Sequence, residues 1–315
     1  MAITGVDALN IDLDAVNSVA RRYIMPGIAD AVYNSTVTNM EMKKRQSLKP
    51  GYTFMTGPVR YAEGAGGPYT GTQPFDINQS NKVTSWQARW KTHFASGTVT
   101  LFDQDRTTSP DAIADLFTIE YQGMEETLSQ FLNIGFNSDG SDAADYVGIP
   151  VATAITGSYL GISKTLNSWW RGNIDSTTTL ATLDLDKVRA LRSSATQGNR
   201  KPNVIITTKS IYNRLYALHL AQQQFVNTQT LKAGFTEMMV EDMAVLEDDT
   251  HVAAGRLNML YMPSWHYCVN RNRNMYFTGW KAPHNPPTYS SSYILHMACV
   301  VCNNPRFNAA FTGLV

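Results

Sequence analysis

The sequence predicts a mixed α+β protein, and three stretches carry that expectation. Between Lys82 and Phe102 apolar and polar residues alternate with a period of two, as in a strand. From Ser109 to Asn137 apolar residues recur at spacings of three, four and seven, as on one face of a long helix. Beyond Gly140, short helical stripes and short apolar runs follow one another, separated by Gly, Pro, Asn and Asp. With 315 residues the chain has room for one large domain or two to three modest ones.

In chain order, Asp14 to Ile24 places Ala15, Val19 and Tyr23 four apart on a helical face, and Met25-Pro26-Gly27 stops it. A short arm with so little apolar content is expected to lie along something else. Next come the basic cluster Lys43, Lys44, Arg45 and Lys49 and the turn signals Pro50-Gly51, Gly57-Pro58 and Glu63-Gly64-Ala65-Gly66-Gly67-Pro68. On the return, the even residues Thr84, Trp86, Ala88, Trp90, Thr92 and Phe94 form a greasy face. The odd residues Val83, Ser85, Gln87, Arg89, Lys91 and His93 form a polar one. The segment reads as a long strand pair around a Gly-rich bend. An isolated two-stranded ribbon is marginal in water, so something outside the ribbon is expected to cover Trp86 and Trp90.

Ser109 is placed to cap the long helix, with Pro110 at its first position and Asp111 at the positive end of its dipole. Ile113, Leu116, Phe117, Met124, Leu128, Phe131 and Leu132 make its apolar stripe, and Asn137-Ser138-Asp139-Gly140 ends it. Such a helix is about 40 Å long at 1.5 Å per residue. Gly123 and Gly135 inside it each mark a close approach or an early end. Leu185, Val188, Leu191 and Ala195 then form a helical stripe ending before Gly198, and Val204-Ile205-Ile206 reads as a buried strand. Thr208 can cap a helix carrying Ile211, Tyr212, Leu215 and Tyr216. Strands are expected at Met238–Val240, Ala244–Leu246, Leu257–Tyr261, Trp265–Val269, Met275–Phe277 and Tyr293–Cys302.

Twenty-six Lys and Arg balance 26 Asp and Glu, so charge-driven binding to nucleic acid or anionic membrane is not expected. Only 17% of residues are charged while 43% are hydrophobic, which leaves a polar, weakly charged surface suited to lying against other proteins. There is no run of about 18 apolar residues, and the start MAITGVDALNIDLD is unlike a secretory signal, so synthesis in the cytoplasm is expected. Cys268, Cys299 and Cys302 are too few for a disulfide framework and are expected as reduced thiols.

The chemical motifs are weak. Gly157 to Thr165 has the ingredients of a phosphate loop, but Ile162 and Ser163 intervene where Gly-Lys-Ser/Thr is needed. Gly64-Ala65-Gly66-Gly67-Pro68 imitates a dinucleotide loop with no helix after it. His296, Cys299, Cys302 and Cys268 are ligand types for zinc, yet on one strand Cys299 and Cys302 point to opposite faces, so core packing is the better account and no metal is assigned. The acids Asp12 and Asp14, Asp103 and Asp105, Glu125 and Glu126, and Glu247-Asp248-Asp249 match no EF-hand or paired-acid pattern, and no nucleophile elbow is present. Trp169-Trp170-Arg171-Gly172 and Trp265-His266-Tyr267 read as core or interface anchors rather than base-stacking platforms. No catalytic residue and no cofactor is assigned.

In this order of parts, the chain resembles the major capsid proteins of tailed bacteriophages, the Hong Kong 97-type fold. The likeness is carried by Gly161-Ile162-Ser163 through Asn167-Ser168-Trp169-Trp170-Arg171-Gly172, by Leu185-Asp186-Lys187-Val188-Arg189-Ala190-Leu191, and by Pro202-Asn203-Val204-Ile205-Ile206-Thr207-Thr208 with Ile211-Tyr212-Asn213. Asp248-Asp249, Leu257 to Tyr261 and the ending Cys302-Asn303-Asn304-Pro305-Arg306-Phe307 add to it.

The resemblance implies an N-terminal arm over 1–40, and an extended loop with its flanking strands over 41–105, lying over a neighbouring subunit. It implies a peripheral domain over 106–160 with a spine helix at 109–137, a mainly axial domain over 161–288, and a returning peripheral strand with the C-terminus over 289–315. Arg60, Tyr61, Tyr69, Trp86, Trp90 and Phe94 are the implied inter-subunit contacts. The implied function is self-assembly, as hexamers and pentamers, into the icosahedral shell of a virion around double-stranded DNA held without sequence-specific binding. Portal and scaffolding proteins and a decoration protein are the further partners, with no membrane. With no long charged helical prefix before Ile11, scaffolding is expected as a separate protein. An encapsulin-like compartment shell is the alternative, and an α+β enzyme with a lid at Gly64 to Gly71 a more distant one.

Overall fold

The structure, a computed structural model, describes residues 37–64, 66–68, 71, 81–106, 110–221, 229–230, 236–248, 251–282 and 288–315. The expected helix at Asp14–Ile24, the Ser109 cap and Tyr69 lie outside these residues. The first described element is a short helix, Val37–Lys43. Four strands follow: β1 (Gln46–Lys49), β2 (Met55–Arg60), β3 (Val83–Ala88) and β4 (Lys91–Thr100). A helical turn, Leu101–Arg106, precedes the long helix Pro110–Phe136, which has the expected extent. After a short helix at Ile149–Thr153 come β5 (Ser158–Tyr159), β6 (Ile162–Ser163) and β7 (Asn173–Asp175). Helix Leu185–Ala195, strand β8 (Val204–Thr207) and helix Lys209–Ala221 form the expected α/β unit. The remaining strands are β9 (Gln229–Thr230), β10 (Thr236–Val240), β11 (Met243–Glu247), β12 (Leu257–Leu260), β13 (Trp265–Asn270), β14 (Tyr276–Phe277), β15 (Tyr289–Cys302) and β16 (Ala309–Phe311).

Two sheets organise the chain. In the five-stranded sheet the order is β1-β13-β15-β14, with β4 paired along the other side of β15 from Lys91↔Ala298 to Thr100↔Tyr289. The seven-stranded sheet runs β7-β16-β12-β8-β11-β10-β9. Its β8 is buried throughout, as a strand covered on both faces must be. One core cluster joins the five-stranded sheet to one face of the seven-stranded sheet through Val204, Ile206, Leu246 and Leu260, and a second lies on the other face, with Ile205, Val245 and Leu257. The chain visits the five-stranded sheet at β1, β4, β13, β14 and β15 and finishes in the other, where β16 pairs with β7 and β12.

The long helix lies on the five-stranded sheet. Phe117, Tyr121, Met124, Leu128, Leu132 and Phe136 are buried, three or four apart. Edge-on ring contacts tie it down: Phe117 to Trp280 at 4.8 Å, Tyr121 to Phe277 at 5.0 Å, Phe136 to Tyr267 at 5.2 Å. Gly97 in β4 lets the helix cross close by, since a Cβ there would stand 2.8 Å from the Met124 sulfur. Phe131, expected in the stripe, is instead 48% exposed, because it sits one residue, and so about 100°, off the row ending at Leu132 and Phe136. Gly135 is a close approach, as a Cβ there would stand 2.6 Å from Asp145 Oδ1. Gly123 has nothing within 4 Å.

The period-two expectation for Lys82–Phe102 needs correcting at its middle. Arg89 and Trp90 belong to no strand, and the chain turns there from the ribbon β2–β3 into the five-stranded sheet. Even residues Trp86 and Ala88 are buried in β3, but in β4 the phase reverses: Ala95 and Val99 are buried and Phe94 is exposed. The expected long strand pair is therefore six residues deep, Met55↔Ala88 to Arg60↔Val83, before its second strand finds a different partner.

Candidate inter-subunit surface

The ribbon β2–β3 is covered on one face by its own chain. Trp86 is only 7% exposed, lying over Gly57, where a Cβ would stand 2.5 Å from the indole ring. Glycine there lets the two strands close on a large ring. The Gln87 N–H donates to the Leu160 carbonyl at 3.0 Å and pins the ribbon to the β5–β6 turn. Trp86 joins the large core cluster of its own chain, so its cover comes from outside the ribbon but from the same subunit. Trp90 is partly buried against the same core. The exposed apolar groups near the ribbon are Tyr52 (61%), Phe54 (43%), Val83 (58%) and Phe94 (60%), of which Phe94 alone belongs to the expected greasy face.

Tyr61 stacks on Trp169 with ring centroids 5.3 Å apart, and its hydroxyl donates to the Asn81 carbonyl. The Arg60 Nε donates to the Ala62 carbonyl at 3.2 Å, and the guanidinium is exposed. Beside this stack lies a cleft of about 550 Å³. The sequence pattern missed Tyr52, Phe54, Ile119, Phe131 and Ile134 as exposed apolar groups; which face of an element is left uncovered depends on tertiary packing.

The remaining candidates resolve into structure. Trp170 and Trp265 are core residues whose indole N–H groups donate to the Tyr159 carbonyl and to Asn308 Oδ1, at 3.1 and 3.0 Å. Lys164, from the phosphate-loop look-alike, is fully buried, and its Nζ donates to the carbonyls of Val151, Ala152 and Ala154 at 2.6 to 2.8 Å. Burial pulls its pKa down to about 8, so the ammonium persists at neutral pH and closes the open end of helix Ile149–Thr153. Cys302 contacts Ser264 and Asn308, Cys268 contacts Ser47, and His296 bonds the Tyr267 hydroxyl. Burial drops the His296 pKa to about 3, leaving a neutral core imidazole. Among the described residues no group of three His, Cys, Asp or Glu is placed to hold a metal ion, and no helix is long and apolar enough to cross a membrane.

Asp248, which fits no acidic motif in the sequence, forms a buried node with His251. Thr38 Oγ1 donates to Asp248 Oδ2 at 2.5 Å, Asn133 Nδ2 to the same oxygen at 2.9 Å, and His251 Nδ1 lies 3.3 Å from Oδ1. The Asn39 amide donates to the Ser129 carbonyl at 3.1 Å. The end of the N-terminal segment is thereby fastened to the long helix and to the loop leaving β11.

No family model matches the sequence, and no curated protein does. Solved structures do match. The capsid asymmetric unit of cyanophage A-1(L) superposes with a TM-score of 0.67 at 16% identity, over 91% of this chain and 94% of that one. The capsid of a native GTA particle gives 0.61 at 10% identity, over 87% and 90%. The SrpI encapsulin of Synechococcus elongatus gives 0.56 at 8% identity, over 86% and 85%. The α+β fold expected from sequence is the Hong Kong 97-type fold that these phage-capsid and encapsulin subunits share.

Proposed function

We propose that this chain is a major capsid protein, which self-assembles into the icosahedral shell enclosing the double-stranded DNA of a tailed bacteriophage. The observation that carries the reading is the extended ribbon β2–β3 and its surroundings. Its inner face is filled by Trp86, while Tyr52, Phe54, Val83 and Phe94 stay open in the single chain. Burying one such side chain is worth about 1.5 to 3 kcal/mol, and a closed symmetric shell repeats that gain at every subunit. Arg60, Tyr61, Tyr69, Trp90 and Phe94 remain the proposed contacts with neighbours; Trp86 acts through the shape of the ribbon.

In this reading the five-stranded sheet and the long helix make the peripheral domain and the seven-stranded sheet the axial one. Hexamers and pentamers form in the host cytoplasm and end in the virion. Portal, scaffolding and decoration proteins are its partners, and the packaged DNA is contained without sequence-specific grip. The role is structural, not enzymatic. Sedimentation velocity of the purified chain with negative-stain electron microscopy tests this. Hexamers, pentamers or particles of uniform diameter support it, and a 35.0 kDa monomer under every salt and scaffold condition overturns it. The likeness to an encapsulin supports a second reading, a compartment with protein cargo; the contents of particles purified from their source, duplex DNA or enzyme, decide between the two.

A further inference from the structure

Three exposed guanidiniums share the cleft beside the Tyr61–Trp169 stack: Arg60, Arg200 and Arg306. None of the three forms an ion pair among the described residues, whereas Arg189 and Arg192 nearby in sequence both reach Glu241. Among the described residues Glu63 is the one acid on the cleft's rim. The walls are aromatic, with Arg200 lying 5.5 Å over the Phe307 ring. Such a cleft fits a surface that is both acidic and apolar.

The chain carries such a surface elsewhere. Helix Pro110–Phe136 contains five Asp or Glu and no Lys or Arg, while residues 41–91 contain eight Lys or Arg against three Asp or Glu. The neutral total conceals two oppositely charged segments. On the helix Glu125 turns inward, Glu126 is exposed and Glu120 half-exposed. Ile119 (67% exposed) and Ile134 (46%) share a stripe with Glu126 at helical spacing. Gly123 lies in the middle of that stripe, and nothing in its own chain stands within 4 Å of where its Cβ would be. Glycine weakens a helix, and its presence there suits a partner that comes close to the backbone.

We propose that the Arg60–Arg200–Arg306 cleft docks the exposed Ile119–Gly123–Glu126 stretch on the long helix of a second copy of the chain. The inference rests on the shell reading and names the partner surface within it. The arginine forks meet the carboxylates of Glu120 and Glu126, while Ile119 lies against Trp169 and Tyr61. The two patches differ, so the contact is head-to-tail. Repeated by rotation, it closes a ring rather than a two-fold dimer.

A charge swap tests it, read by sedimentation velocity and electron microscopy, with circular dichroism as the check on folding. The double variants R60E/R200E and E120K/E126K change exposed or half-exposed residues and are expected to fold. Each is expected to need about tenfold more protein for half-assembly, since like charges then face each other. Combining all four substitutions is expected to restore assembly to near the wild-type concentration. Should a reversed variant fail to fold, the neutral pair R60Q/R200Q replaces it, with a smaller increase expected. Wild-type assembly alongside unaffected reversals, or a swap that restores nothing, overturns the docking and leaves the shell reading standing. A wild-type chain that never assembles overturns both.

Discussion

Trp86 and Phe94 stand on the same face of an idealised strand, yet the fold gives them opposite tasks, and truncating each to alanine separates them. Trp86 is 7% exposed and Phe94 60%. A buried aromatic hides about 150–250 Å², worth about 4–6 kcal/mol at 25 cal/mol per Å². Measured large-to-small substitutions of Trp or Phe cost about 3–5 kcal/mol, so Trp86→Ala is expected to cost about 3–5 kcal/mol. Phe94 is less than half buried, and its loss is expected to cost the isolated subunit about 1 kcal/mol or less.

The Trp86 loss falls on the ribbon, because the indole ring lies over Gly57 of the facing strand and ties both strands to the subunit's core. Hydrogen exchange followed by mass spectrometry reads such local opening directly. In Trp86→Ala, peptides covering Met55–Arg60 and Val83–Ala88 are expected to exchange about 100-fold faster, as about 3 kcal/mol requires at tenfold per 1.4 kcal/mol. Phe94→Ala is expected to leave those peptides unchanged in the monomer and to weaken assembly. Ribbon exchange in Trp86→Ala that matches wild type would refute the assignment of Trp86 to the subunit's own core.

Three further outcomes follow from buried groups. Burial pushes the Glu125 carboxyl above its ordinary value of 4.5, with the Tyr121 hydroxyl opposing, so its contribution to stability is fully present below that value and is lost as pH rises through the raised native pKa. Glu125→Gln is therefore expected to be the more stable protein at about pH 7 and to lose the advantage near pH 4 in denaturant titrations; a wild type that gains on it with rising pH counts against this. Lys164→Met leaves three carbonyls without their donor and is expected to cost about 3 kcal/mol or more by chemical denaturation, where a neutral result would mean that water replaces the ammonium. Gly135→Ala is expected to lower the melting temperature through contact with Asp145 and Tyr146, whereas Gly123→Ala gains up to about 1 kcal/mol of helix propensity in the monomer while impairing assembly.

Much of the architecture was legible because local chemistry specified it. The long helix was bounded by turn residues and carried a repeating apolar stripe. The strands around Val204, Leu257, Trp265 and Tyr293 are short apolar runs between breakers, and all four appear within a few residues of their expected limits. What failed was inference across a break. Alternation from Val83 to Phe94 looks continuous in sequence, but the turn at Arg89–Trp90 resets which face is inward, and no residue type there announces it. Phe131 failed for a related reason, since neighbouring positions on the edge of a stripe are divided by what packs there and not by their hydrophobicity. The node joining Thr38, Asn133 and Asp248 was out of reach, because its members are separated by as many as 210 residues.

The neutral composition argued against a strong grip on DNA, but it does not describe the surface a neighbouring subunit meets. Charges averaged over a chain cancel even when they are sorted by segment, and association depends on the local field within about one Debye length, about 8 Å at physiological salt. Here the long helix holds five acids and no Lys or Arg, while residues 41–91 hold eight Lys or Arg against three acids. A subunit with opposite charges on two different patches attracts copies of itself in one relative orientation and disfavours like-to-like contacts. In the proposed shell, zero net charge would remove the long-range repulsion that otherwise grows as copies accumulate. On that reading, local charge and neutral total serve the same end: short-range electrostatics would choose how neighbours meet, and the exposed aromatics beside the ribbon, Tyr52, Phe54 and Phe94, would supply the burial that holds them.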